Sequence, residues 1–212
     1  MRSNLIEESK KALRLTQEQR DIIVGLVLGD GHLETQNHGR TYRLKVEHSV
    51  KQQAYLEWIQ TIFREWIRPR ELHLRLKDGK PFSVSFSTLS HESFRFYGQQ
   101  FYEGHKKVIP KMFAKILSPL SLAVWFMDDG SLKSKRHATY IIHTLGYTLE
   151  DLRIVQSVLL EKFQIETRLH RQKGKYWRLY IPQVSARKFR DTIEPFLHPS
   201  MRYKLGTHMP KK

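Results

Sequence analysis

DIIVGLVLGDG, residues 21–31, is apolar on nearly every side when wound as a helix, and it stops in Asp-Gly. A short helix that is apolar all round is buried rather than laid on a surface. Thr16-Gln17-Glu18-Gln19 precedes it as a capping box, in which the Thr16 and Gln19 side chains satisfy each other's backbone N–H groups. A second stretch of this kind, LAVWFMDDG, residues 122–130, follows Ser118-Pro119, an N-cap with proline at the first helical position. It too ends in Asp-Gly. Asp30 and Asp129 are 99 positions apart, Tyr42 and Tyr140 are 98 apart, and Phe94 and Phe189 are 95 apart. Offsets this regular indicate a duplicated unit.

The same order of elements is expected around each helix. After Gly31 come strands over 32–35 and 41–48, joined by the turn Gln36-Asn37-His38-Gly39. An amphipathic helix over about 50–67 follows, with Tyr55, Ile59, Ile62, Phe63 and Trp66 at helical spacing. Strands over 71–77 and 82–86 flank the hairpin signal Asp78-Gly79, and a helix covers 92–102. After Gly130 the pattern returns, with strands at 131–135 and 139–143 and a helix from Thr148 to 163. Strands at 166–171 and 176–181 and a helix at 186–196 complete it. The expected fold is α+β: two pseudo-symmetric αββαββα halves, residues 1–114 and 115–212, packed through a central pair of helices. That pairing places Asp30 and Asp129 together at one end.

Lys and Arg number 37 against 21 Asp and Glu, a net charge of +16 in 212 residues with pI near 10. The basic residues run from Arg14 to Lys212 instead of forming a tail, which points to a polyanionic partner, nucleic acid first. A hydrophobic fraction of 40% supplies material for a core, so disorder is not expected. The absence of cysteine excludes disulfides, thiolate zinc sites and cysteine nucleophiles. The longest apolar runs, 22–28 and 122–127, are far short of the ~20 residues of a membrane span. The start, MRSNLIEESKKALRL, lacks an apolar signal core. No membrane partner is therefore expected, and the location expected is intracellular, in a bacterial cytoplasm or an organelle. There is no glycine-rich phosphate loop, HExxH or calcium-hand loop, and the 11 His lack zinc-ligand spacing.

A single Asp-Gly after an apolar run is ordinarily a helix stop. Two of them in equivalent places of a duplicated chain carry more meaning. A helix C-terminus already bears partial negative charge, so a carboxylate there is unfavourable unless a cation joins it. Two such ends side by side make an oxygen-lined site for a hard divalent ion, Mg²⁺ before Ca²⁺. In a basic protein that draws in phosphate, metal-aided hydrolysis of a phosphodiester follows.

DIIVGLVLGDG and LAVWFMDDG resemble the two copies of the LAGLIDADG motif, and most of the chain resembles a single-chain LAGLIDADG homing endonuclease. The resemblance implies that Asp30 and Asp129, the last acidic residue of each motif, bind the catalytic metals. Gly29 and Asp128, one residue earlier, would add backbone carbonyls. It further implies that Lys107 in KKVIP and Lys204 in MRYKLG organise the hydrolytic water. The implied cofactor is Mg²⁺, with Mn²⁺ as a substitute and Ca²⁺ binding without supporting cleavage. The implied activity is sequence-specific double-strand cleavage by a monomer at a long asymmetric DNA target, leaving short 3′ overhangs. No Cys or Ser opens the chain, so an intron-encoded enzyme is expected rather than an intein. An RNA maturase acting on intron RNA, or a non-catalytic DNA-binding regulator, stays open as the alternative. Two departures are visible. Val124 and Asp128 stand where the first motif has Gly25 and Gly29, so the helix interface is not expected to be strictly symmetric. Asp128 beside Asp129 leaves two carboxylates as candidates, with motif position favouring Asp129.

The resemblance also implies two curved sheets lying along the major groove. Arg43 and Lys45 alternate with Leu44 and Val46, Arg75 and Lys77 with Leu74 and Leu76, and Arg168 and His170 with Leu169. Period-two alternation sends the apolar set to the core and the basic set to a ligand. Arg40, Lys80, Lys133, Lys135, Arg136, Lys173 and Lys175 at hairpin tips, with Arg171 and Arg178 on strands, complete the residues expected to contact DNA. Arg on guanine carries the most base information. Trp58, Phe63 and Trp66 sit at helical spacing and are expected in the core.

Overall fold

The capping box forms as the sequence predicts. In the computed structural model, which describes residues 12–68, 72–134, 136, 138–172 and 174–206, the Gln19 N–H donates to Thr16 Oγ1 at 3.1 Å. The Thr16 N–H donates to Gln19 Oε1 at 3.0 Å. This box starts α1 (Gln17–Leu28), in which every residue from Ile22 to Leu28 is buried. The chain continues through β1 (His32–Glu34), β2 (Arg43–Ser49), α2 (Gln53–Ile62), β3 (His73–Lys77), β4 (Lys80–Ser87) and α3 (Arg95–Gln100). A small hairpin, β5 (Tyr102–Glu103) with β6 (Lys106–Lys107), and the short α4 (Phe113–Ile116) lead to α5 (Pro119–Asp129). The order then repeats as β7 (Gly130–Ser134), β8 (Thr139–Ile142), α6 (Leu149–Phe163), β9 (Arg168–Gln172), β10 (Tyr176–Ile181) and α7 (Gln183–Ile193).

Both four-stranded sheets are antiparallel and carry the same strand order, β1-β2-β4-β3 and β7-β8-β10-β9. The α+β fold with pseudo-symmetric αββαββα halves is therefore the one the repeat foretold. Thr148 and Asp151 form a second capping box at the start of α6. The hairpin turn has both central residues in the left-handed region, Asp78 at φ 51° and Gly79 at φ 72°, the primed geometry that suits a twisted two-strand ribbon. Among the described residues no helix is long and apolar enough to cross a membrane.

The two motif helices, α1 and α5, pack directly on one another through glycine. A Cβ on Gly25 would lie 2.5 Å from Ser121 O and from Val124 Cβ. One on Gly29 would lie 2.6 Å from Asp128 Cβ. The asymmetry seen in the sequence is thus the packing itself: Gly25 in α1 and Gly29 at its cap each receive the larger residue at the equivalent position of α5. Trp125, Phe126, Phe63 and Trp66 fill the core on either side, while Trp58 is only partly covered. The expected long helix over 50–67 is instead α2 bounded by tighter turns at Val50–Gln52 and Arg64–Trp66.

Alternation predicts Leu74 and Leu76 in the core, yet all of β3 is exposed, Leu74 by 47% and Leu76 by 56%. β3 is an edge strand with β4 as its one neighbour, and the register shifts between Arg75 and Leu76, which breaks the alternation.

Candidate functional site

α1 ends at Leu28, and Asp30 follows the cap residue Gly29; Asp129 is the last residue of α5. The tight packing of Gly29 on Asp128 brings these ends together. Asp128, expected to offer its backbone carbonyl, also turns its side chain into the junction. Its Oδ2 accepts from the Asp30 N–H at 3.0 Å, and its Oδ1 accepts from Tyr55 Oη–H at 2.9 Å. Burial, with the Asp30 charge nearby, pushes the Asp128 carboxyl well above the ordinary carboxylate range.

His48 completes this group. In β2 it shares the inward face with Leu44 and Val46, and its side chain is 1% exposed. Nδ1 lies 3.5 Å from Asp30 Oδ2 and Nε2 lies 3.6 Å from Asp128 Oδ1. Neither nitrogen has a hydrogen-bond partner among the described residues. Ligand atoms of Asp30, His48 and Asp128 fall within 4.8 Å of one another. Sequence reasoning missed His48. Its one signal was a histidine at an inward, otherwise apolar position of an alternating strand.

Asp129 is half-buried. Desolvation, then the charge of Asp30, raise its carboxyl to about 7, while Lys107 and Lys204 pull the other way. The two lysines sit in equivalent places. Lys107 Nζ donates to Gly29 O at 2.6 Å and Gly31 O at 2.8 Å. Lys204 Nζ donates to Asp128 O at 2.8 Å and to Met127 O. Each ammonium therefore satisfies carbonyls at the end of one motif helix, where unpaired acceptors collect. These include the Gly29 and Asp128 carbonyls that the resemblance assigned to metal. Burial lowers both lysines from their ordinary value, opposed by the three aspartates. Tyr147 donates to Leu28 O, a further carbonyl at the end of α1, at 3.0 Å. All four expected catalytic residues thus converge. The donor set, carboxylates with one imidazole and a crowd of negative charge that a cation would relieve, fits a hard divalent ion.

The outward faces of the sheets carry most of the basic residues expected there. On the N-terminal sheet, Arg43, Lys45 and Arg75 share a face with Glu34, Glu47, His73, Ser83 and Ser85. This face lines a concavity of about 650 Å³. Lys77 and Lys80 flank the β3–β4 turn, and Arg40 is exposed before β2. On the C-terminal sheet, Arg168, His170, Arg178 and Tyr180 share the outward face. Lys133 Nζ lies 4.3 Å from the Tyr180 ring centroid and 3.3 Å from His170 Nδ1. Arg136 and Lys175 are exposed near the two hairpin tips, whereas Lys135 and Lys173 lie outside the described residues. Arg171 is a correction. Its register partner is Trp177, on the reverse face, and its guanidinium lies 5.3 Å from that ring, so it covers apolar surface instead of facing outward with Arg168.

Residues 20–189 match the profile of the LAGLIDADG DNA endonuclease family. The chain is 33% identical over 214 residues to the DNA endonuclease I-ChuI of Chlamydomonas applanata, covering 92% of this chain and 97% of that protein. It is 31% identical over 212 residues to the probable intron-encoded endonuclease 1 of Wickerhamomyces canadensis, covering 96% and 90% respectively. The homing endonuclease I-WcaI, solved bound to its DNA recognition sequence, superposes with a TM-score of 0.86 at 29% identity over 97% of this chain and 93% of that one. The doubled motif, its helix pair and these relatives agree: this chain belongs to the LAGLIDADG DNA endonuclease family.

Proposed function

We propose that this chain is a sequence-specific double-strand DNA homing endonuclease, acting as a monomer built from halves 1–114 and 115–212, with Mg²⁺ as its cofactor. The observation that carries the reading is the convergence of Asp30, Asp129, Lys107 and Lys204 at the paired helix ends, flanked by two basic sheet faces.

Asp30 and Asp129 would hold the divalent ion, which supplies charge neutralisation at the scissile phosphate and a more acidic water. Asp128 fixes the Asp30 backbone and so sets where that carboxylate points. Lys107 and Lys204 each spend two N–H groups on helix-end carbonyls. One N–H remains on each for a phosphate oxygen or a water, aimed by a head that cannot swing. Because the two lysines serve different motif helices, each falls naturally to one DNA strand. The basic side chains of the sheets hold the duplex through its phosphates, so affinity is expected to fall steeply with salt.

The test is incubation with Mg²⁺ and a plasmid carrying the joined exons that flank the reading frame. Linear product supports the reading. Tight binding without any cutting, with Mg²⁺ or Mn²⁺, overturns it in favour of a non-catalytic binder.

A further inference from the structure

The two sheets differ in how their basic residues are held. In the N-terminal sheet, both Nε and Nη2 of Arg43 donate to Glu34 Oε2, at 2.9 and 2.6 Å. Lys45 Nζ lies 3.7 Å from the other oxygen of that carboxylate. Glu47 repeats the device: it accepts from Ser83 Oγ and lies 3.8 Å from Arg75 Nη1. Among the described residues the C-terminal sheet shows no carboxylate paired with its basic side chains. Residues 130–143 and 168–181 contain eight Lys and Arg and no acidic residue, whereas 32–49 and 73–87 contain six with Glu34, Glu47 and Asp78. Lys133 there rests on a tyrosine ring instead.

A carboxylate on a face that meets phosphates weakens overall attraction to DNA. What it gives in return is direction. A guanidinium held along one edge loses little freedom on binding and presents its remaining N–H groups in a set orientation, which suits the paired acceptors of guanine. Lysines and arginines that no carboxylate steers are free to neutralise phosphate, and contacts to phosphate carry no direct sequence information. Resting on the endonuclease reading above, we propose that the two half-sites are recognised differently. The N-terminal sheet reads bases through Arg43 and Arg75, with Glu34 as the positioning residue for Arg43. The C-terminal sheet anchors the duplex through its phosphates.

Selection of bound molecules from a randomised duplex library, followed by sequencing, tests this division. The wild-type protein is expected to enrich one side of the site to higher information content than the other. Glu34→Gln is expected to flatten one or two base positions on that side by about 5-fold or more, while binding to a single unrelated duplex tightens about 2-fold. Those opposite signs are not what a merely damaged fold produces. Arg43→Lys keeps the charge and removes the fork, so it is expected to flatten the same positions and to weaken the preferred sequence more than an unrelated duplex. Arg168→Gln is expected to weaken all sequences alike and to lower the salt slope by about 1. Equal information on both sides, with Glu34→Gln enriching the wild-type sequence, overturns the division and leaves the endonuclease reading intact. Failure of the wild-type protein to enrich any sequence overturns that reading itself.

Discussion

The Asp128 carboxylate accepts the backbone N–H of Asp30 across the helix pair at 3.0 Å. A buried side chain of the second motif thereby sets the backbone direction of the metal-ligand candidate of the first. The reverse contact cannot form, because position 29 is glycine. The junction is therefore asymmetric at the point where the pseudo-symmetry matters most.

Replacing Asp30 or Asp129 with Asn keeps size and removes the charge that a divalent cation needs. Cleavage of the plasmid target is expected to fall by about a thousandfold, roughly 4 kcal/mol of barrier, with DNA affinity nearly unchanged. Gel-shift and linearisation assays on one preparation check both halves of that statement. Cutting at the wild-type rate by either variant removes the assignment.

Asp129 gives a pH signature in the absence of divalent ions. Folded, its carboxyl is raised to about 7; its ordinary value is 3.8. Between those values the folded chain keeps a proton that the unfolded chain has released, so stability falls as pH rises through the window and the loss is complete above it. Asp129→Asn has no such proton to lose. At about pH 8 in chelator it is expected to melt roughly 5 °C above the wild type, about 2 kcal/mol, and the gap should close near pH 4. Equal melting temperatures at both pH values would show that the carboxyl is not destabilising in the metal-free fold.

Gly25 has no room for a methyl group: its Cβ would meet the backbone oxygen of Ser121 and the Val124 side chain, both at 2.5 Å. Gly25→Ala must push α1 away from α5, an overpacking that costs about 3 kcal/mol. Chemical denaturation should record this as a lower midpoint with little change in slope.

Lys107→Met leaves the Gly29 and Gly31 carbonyls without their ammonium partner, and Lys204→Met does the same at Met127 and Asp128. Each is expected to lose about 1–3 kcal/mol of stability. On supercoiled target each should accumulate nicked circle before linear product, with the intact strand opposite in the two variants. Identical strand bias would remove the pairing of one lysine with one strand.

Tyr55→Phe deletes the hydroxyl that donates to Asp128 Oδ1 and nothing else, because the ring is fully buried. A stability loss of about 1–2 kcal/mol is expected. A smaller drop in cleavage than Asp30→Asn gives should accompany it, since Tyr55 acts on the site only through Asp128.

The covalent order of the chain settled the duplication, the starts of the two motif helices and the aspartate pair, because these rest on local signals. A capping box, Ser-Pro and Asp-Gly announce themselves within a few residues, and the repeat needs only offsets along one line. Alternation served well where strands have neighbours on both sides, as in β2 and β10, and it misled at β3, where an edge and a register shift expose both faces. Arg171 was misplaced for a related reason: its face follows from its pairing with Trp177, not from its charge. His48, Tyr55 and the inward turn of the Asp128 carboxylate became visible only in three dimensions. Each is distant in sequence from Asp30 and reaches the junction only through the folding of the chain. Their contacts exist because two glycines let the helices touch, and the depth of that touch depends on how both halves pack together.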